Sequence, residues 1–362
     1  ISACLVGSEM CIRDRYYGTI DATPLFLLLL ARLYDVTGDL AFVRSLREPA
    51  LRALAWIDTY GDRDGDGYIE YLREAEAGLD NQGWKDSGDA VRYRDGRLAQ
   101  APIALCEAQG YAFAAKLGMA RLFAALGEAE RATELRAQAE ALKERFNRDF
   151  WMPDRGFYAF GLDGGKRQID ALTSNPGHLL WTGIADADKA QQVAATLLAP
   201  DMFTGWGVRT MGAGEGGYNP ISYHCGSVWP HDNSLIVAGL ARYSFATEAR
   251  QILSGMLAAL DYYPDYRLPE LFAGYSVAEA AFPVEYPTAC RPQAWAAGSV
   301  FSFLATMAQL DPGLQSLAHE SHQHEQPAPQ LASASLLPKS VARIALAGVW
   351  RRGEQVDVAV TR

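Results

Sequence analysis

Apolar residues recur at spacings of three and four through most of this chain, and the segments with that period are joined by connections of two alternating lengths. The period predicts helices near 23–37, 39–60, 103–126, 128–149, 176–184, 187–198, 227–243, 246–262 and 292–310. Stop and start signals punctuate them: Gly38 before Asp39, Gly127 before Glu128, Asn175 before Pro176. Strand character is confined to YAFGL near 158–162 and to ARIALAGV and QVDVAVT in the C-terminal segment. The connections after 37, 126, 184 and 243 are short, whereas the loops 61–102, 150–175, 199–226 and 263–291 are long. In an up-and-down array every second connection lies at the same end. The four long loops therefore share one face with the YYGTID entry at 16–21, and long loops in compact domains tend to carry function.

Composition narrows what that face does. The net charge of −10 argues against a nucleic-acid partner, because phosphate binding needs a basic surface. The longest apolar run, TPLFLLLLARLY at 23–34, stops at Arg32, short of the roughly 18 apolar residues a membrane span needs. A cytoplasmic protein with no membrane partner is the expectation. The same run is apolar nearly all round, as a buried helix is. The five cysteines lack metal-ligand spacing. No phosphate loop or dinucleotide fingerprint is present, and no cofactor is expected. DRDGDGYIEYLRE at 62–74 begins like a calcium loop with Asp62, Asp64, Asp66 and Gly67, but its twelfth position is Arg73 rather than a bidentate Glu. It reads as an acidic turn, and no metal site is assigned.

The loop face is rich in carboxylates, Trp, Tyr and Gly. LDNQGWKDSGDA spans 79–90, GWGVRT 205–210, YHCGSVWPHD 223–232 and RLPELFAG 267–274. Carboxylates facing an aromatic-lined pocket suit glycoside hydrolysis. One acid protonates the leaving oxygen, and a second carboxylate activates water or attacks the anomeric carbon. The acid needs a raised pKa, which Trp packing or a nearby like charge supplies.

NQGWKDSGDA, YHCGSVWPHD, LPELFAG and CRPQAWAAGS, in that order and with YYGTIDATPLF as the barrel entry, resemble the motifs of the glycogen-debranching-like amylo-alpha-1,6-glucosidase family. The resemblance covers about 16–310. It implies an all-α, (α/α)6-barrel fold and an inverting mechanism acting on an alpha-glucan or oligosaccharide. It points to Asp86 as general acid and Glu270 as general base. Trp84, Lys85, Asp21, Tyr223, His224, Trp229, Arg209 and Gln293 are the expected substrate-binding residues. Asp89 is the rival acid and Glu285 the rival base. Glu107 is either a site residue or an ordinary acidic helix start; Gln293 is either a hydroxyl binder or a helix-start residue.

A family barrel has twelve helices, and nine are legible, so the barrel is expected to be incomplete at its N-terminus and to leave one apolar flank of the 23–37 helix exposed. Residues 1–15, ISACLVGSEMCIRDR, lack any period and resemble a translated sequencing adapter; they are expected to be non-native. The expected organisation is that segment, a partial barrel over 16–311, a polar linker over 312–335 holding His319, His322 and His324, and a short C-terminal β segment over 336–362. Two other functions compete. A sugar epimerase on the same barrel would use histidines, and His178, His224 and His231 are available. A fragment would bind sugar without turnover.

Overall fold

The computed structural model describes residues 18–310 apart from 77, and 336–362 apart from 352. The adapter-like segment 1–15 and the linker 312–335 lie outside the described residues. The chain is mostly helical. In order come α1 (Ala22–Thr37), α2 (Leu40–Ser45), α3 (Arg47–Trp56), α4 (Cys106–Ala125), α5 (Ala129–Asp149), α6 (Pro176–Thr182), α7 (Ala187–Leu197), α8 (Pro230–Arg242), α9 (Ala246–Leu260) and α10 (Ala294–Met307). Two-residue strands β1 (Ala104–Leu105), β2 (Trp151–Met152), β3 (Phe157–Tyr158), β4 (Gly161–Leu162) and β5 (Gln168–Ile169) pin the long loops, and β6 (Arg343–Arg351) and β7 (Glu354–Thr361) form a hairpin.

The helices divide into two sets. α1 packs on α4, α4 on α6, α6 on α8 and α8 on α10, an inner arc of alternate elements. α5 and α9 pack outside their predecessors. Sequence explains the division. α5 buries Ala132, Leu135, Ala139, Leu142 and Phe146 on one stripe, the pattern of a helix with one wet face. α4 is buried nearly all round, and its glycines admit its neighbours. A Cβ at Gly118 would stand 2.7 Å from the Ala31 Cβ of α1, and one at Gly177 of α6 would stand 2.5 Å from Ile236 of α8. Any larger residue there would force the inner helices apart.

One expectation needs correction. The single helix over 39–60 is two helices broken at Leu46, then a π-helical turn at Ile57–Gly61. α1 has an exposed apolar flank, as expected: Leu29 is 67% exposed, and Phe26 and Leu33 also face outward. A run of apolar letters reports the character of each face, not whether a neighbour covers it. The C-terminal β segment packs on the helices. Gly353 N donates to the Val36 carbonyl of α1 at 2.8 Å, and Leu336, Leu337, Ile344 and Val360 join the main core. Among the described residues no helix is long and apolar enough to cross a membrane.

The long loops are stitched to one another at the end where the inner helices begin. Loop 61–102 joins 150–175 through Lys85 and Ser174 (3.2 Å). Loop 150–175 joins 199–226 through the Arg155–Glu215 ion pair (2.8 Å) and the Thr173–Met211 bridge. Loop 199–226 joins 263–291 through Arg209 Nε and the Gly274 carbonyl (2.8 Å). The acidic turn is also tied in. Lys166 places its ammonium against Asp64 (2.7 Å), Asp66 (2.5 Å) and Glu70. The cation that answers the Asp64, Asp66 and Glu70 carboxylates is thus a side chain of the next long loop.

Candidate active site

Each inner helix delivers polar side chains to this face from its first turn. Asp21 is the N-cap of α1, and Glu107 lies in the first turn of α4. Asn175 occupies the N-cap position of α6 without a side-chain cap bond, with His178 just inside. His231 and Asp232 open α8, and Gln293 and Trp295 open α10. Unpaired N–H groups and aligned peptide dipoles favour negative side chains at a helix start. That local rule concentrates carboxylates where the loops converge.

Trp84 is the hub. Its ring stands 4.9 Å from His231, 5.7 Å from His224 and 5.8 Å from Trp229, all edge-on, and stacks on His178 at 6.0 Å. Lys85 is fully buried beneath it. The ammonium donates to the Thr210 carbonyl (2.7 Å) and Ser174 Oγ (3.2 Å) and lies 5.0 Å from the Trp84 ring centre. Burial lowers its pKa to about 8, although Asp232 and Glu107 pull the other way. Lys85 therefore braces the tryptophan from below and ties three loops.

Asp86 follows. Burial pushes its carboxyl above the ordinary range, and the charges of Asp21 and Glu270 push the same way. Burial raises Asp21 too, against a hydrogen bond from Thr19. The structure thus brings Asp21, Asp86 and Glu270 into one electrostatic neighbourhood. Glu270 is 7% exposed. Tyr223 Oη donates to its Oε1 at 2.6 Å, and the Cys290 backbone N–H donates to its Oε2 at 3.0 Å. Burial and the Glu270 bond push the Tyr223 phenol up, so it remains a donor. The rivals stand differently. Asp89 is exposed; Glu285 has an exposed side chain paired with Arg291 at 3.1 Å.

The remaining expected binders divide. His224 and Trp229 line the cluster, their rings stacked at 5.1 Å with an interplanar angle of 18°. Arg209 is buried and donates to the carbonyls of Gly274, Pro200 and Asp201 at 2.8, 2.9 and 3.0 Å. Those bonds hold loops together. Gln293 Oε1 accepts from Ala296 N at 2.9 Å, a helix cap.

Sequence reasoning did not name Asn175 or Asp232 as site residues, offered His178 and His231 only for the epimerase alternative, and left Glu107 open. His178 Nδ1 is 2.6 Å from the Tyr111 hydroxyl, and its Nε2 is 2.8 Å from Asp232 Oδ1. Burial raises Glu107 and lowers His231 to about 3. Among the described residues, Trp84 Nε1, Glu107 Oε1, His231 Nδ1, Asp232 Oδ2 and the Asn175 amide are buried without a hydrogen-bond partner. Buried polar groups are normally paired, so these atoms suit a hydroxyl-rich ligand. One sequence signal pointed to them: each but Trp84 sits within the first turn after a long loop.

A half-buried carboxyl whose pKa burial raises, a second carboxylate with both oxygens hydrogen-bonded, and aromatic walls on a helical loop face suit glycoside hydrolysis. The chain belongs to the mannosylglycerate hydrolase MGH1-like glycoside hydrolase domain family, whose model matches residues 15–275. The debranching-like assignment thus resolves to a different member of the six-hairpin glycosidases. None of the curated proteins matches the chain in sequence. Among solved structures, it is similar to a GH63 mannosylglycerate hydrolase from Thermus thermophilus in complex with glucose, with a TM-score of 0.57 and 18% identity over 80% of this chain and 76% of that one. The same hydrolase with Tris and D-glycerate gives 0.57 and 17%, over 81% and 79%. A protein described as a sialidase gives 0.65 and 12% over 97% of this chain, which spans 30% of that one. These likenesses support an (α/α)6-type glycosidase fold.

Proposed function

We propose that this glycoside hydrolase cleaves small α-linked hexosides with inversion, with Asp86 as general acid and Glu270 as general base. The observation that carries the reading is the pairing of a half-buried, upshifted Asp86 with Glu270, whose two oxygens accept from Tyr223 and Cys290. Asp86 protonates the glycosidic oxygen. Glu270 takes a proton from the water that attacks the opposite face of the sugar, and the leaving alcohol departs as that bond forms. An inverting pair leaves room for this water, so the carboxyls are expected roughly 6.5–9.5 Å apart. Trp84, Trp229 and Tyr223 supply apolar walls, and the unpartnered atoms of Glu107, Asn175, His231 and Asp232 meet hydroxyls.

α-Glucosides and α-mannosides are both proposed as substrates, since relatives include a mannosylglycerate hydrolase that also appears with glucose. The 1,6-linked stub of a branched glucan is the narrower alternative, carried by the motif resemblance alone. Histidine-driven epimerisation is less well supported: burial holds His224 and His231 down in pKa, and both ring nitrogens of His178 are engaged. The test is a panel of mannosylglycerate, α-glucosyl and α-mannosyl disaccharides and a branched dextrin, with the anomer of the first-formed sugar read by NMR. Hydrolysis to the β-anomer is expected. Retained configuration, or epimerised sugar without hydrolysis, would overturn the reading.

A further inference from the structure

Two pairs of neighbouring residues link the carboxylates. Ser87, next to Asp86, places its Oγ 2.8 Å from His224 Nδ1 and its backbone N–H at 3.4 Å from the same nitrogen. A backbone N–H only donates, so Nδ1 is an acceptor and the ring proton of neutral His224 sits on Nε2. Tyr223, next to His224, donates to Glu270. The path from one carboxylate to the other is therefore two short covalent steps and two hydrogen bonds: Asp86–Ser87, His224–Tyr223, Glu270.

The middle of this path is braced. Trp229 stacks on His224, meets the Tyr223 ring edge-on at 4.8 Å, and donates from Nε1 to the Tyr223 carbonyl at 2.9 Å. Trp84 packs edge-on against His224 at 5.7 Å and edge-on against Trp229 at 5.8 Å, so the three rings brace one another. Neither the His224 nor the Tyr223 ring has room to turn without breaking these contacts.

We propose that the Tyr223–His224 dipeptide is a gauge: it fixes the spacing of Asp86 and Glu270, and with it the slot for the attacking water. The inference rests on the acid and base roles proposed above. It makes Ser87 and His224 positioning residues that act through Asp86, while Tyr223 acts through Glu270. The physical reason is leverage. The two carboxylates sit on loops separated by most of the domain, and a misplacement of about 1 Å costs on the order of 100-fold in rate.

The test uses Ser87→Ala, Ser87→Thr, Tyr223→Phe and the Ser87→Ala/Tyr223→Phe double variant of the full chain, assayed on whichever panel substrate the wild type hydrolyses. Alanine and phenylalanine each remove one oxygen and leave the rings packed; unchanged circular dichroism checks this. Each single loss is expected to lower kcat about 10- to 100-fold with KM within about threefold. Ser87→Thr, which keeps the hydroxyl, is expected to recover most of the rate. The double variant is expected to fall little below the worse single, because both act on one spacing. Unchanged kcat, a rise confined to KM, or fully multiplicative losses would overturn the gauge while leaving the hydrolase intact. A wild type that hydrolyses nothing on the panel overturns the functional reading itself, and the gauge with it. Should Ser87→Ala unfold, Ser87→Gly and the rate recovery by Ser87→Thr decide the same question.

Discussion

His178 Nε2 lies 2.8 Å from Asp232 Oδ1, joining the first turns of α6 and α8 beneath the Trp84 ring. Burial alone would raise Asp232, but the hydrogen bond with His178 and the nearby Lys85 ammonium help outweigh it and leave its pKa lowered. A depressed carboxyl contributes stability that is present above its unfolded value and is lost as pH falls through the folded one. Asp232→Asn should therefore lower stability by roughly 3 kcal/mol at neutral pH. The gap from wild type should narrow as pH drops below about 4. Thermal midpoints of both proteins across that range check it; a gap independent of pH would contradict the assigned charge.

Asp86 has the opposite sign. Its folded pKa is raised, so ionisation costs stability as pH rises from the unfolded value through the folded one. Asp86→Asn should abolish turnover, by about 1,000-fold or more, yet raise the thermal midpoint at neutral pH by about 2 °C. Wild-type kcat should fall as pH rises past the raised Asp86 value. Calorimetry and a pH–rate profile test both halves. A destabilised variant, or a rate that climbs with pH throughout, would move the acid elsewhere.

Arg209 and Gln293 separate scaffold from sugar contact. Arg209→Lys loses at least part of the fork that serves three carbonyls and should lower stability by about 2 kcal/mol. Gln293→Ala loses a cap and should cost about 1 kcal/mol. KM is expected to stay within about twofold for Gln293→Ala. A tenfold rise in KM with unchanged melting in either variant would return that residue to the binding set.

Lys166 is the counter-ion of a crowded acidic turn, facing Asp64, Asp66 and the buried Glu70. Lys166→Met leaves those carboxylates repelling one another and, since solvent screens Asp64 and Asp66, should cost about 1 kcal/mol at neutral pH. Acid should relieve the repulsion, so the loss is expected to shrink as the carboxylates protonate. Urea unfolding at two pH values measures this. An unchanged midpoint in urea at neutral pH would show that the ammonium contributes nothing.

The sequence by itself determined which segments are helical, because the three-and-four period is local, and placed the functional loops on one face, because alternate connections of a helical array share an end. It also pointed to Asp86 and Glu270 through motif resemblance. Tertiary structure decided what each side chain does there. Arg209 and Gln293 carry the same letters whether they face a sugar or hold a carbonyl or an N–H; only the neighbours, such as Gly274 and Ala296, tell them apart. Glu107, His178 and Asp232 lie on separate helices and meet because the glycine contacts of α4, α6 and α8 let those helices close up. Leu29 of α1 shows the converse: its apolar stretch fixed a helix, while its exposure depended on what packs beside it. Period is a property of one segment, whereas burial, charge and hydrogen-bond partners belong to pairs of segments.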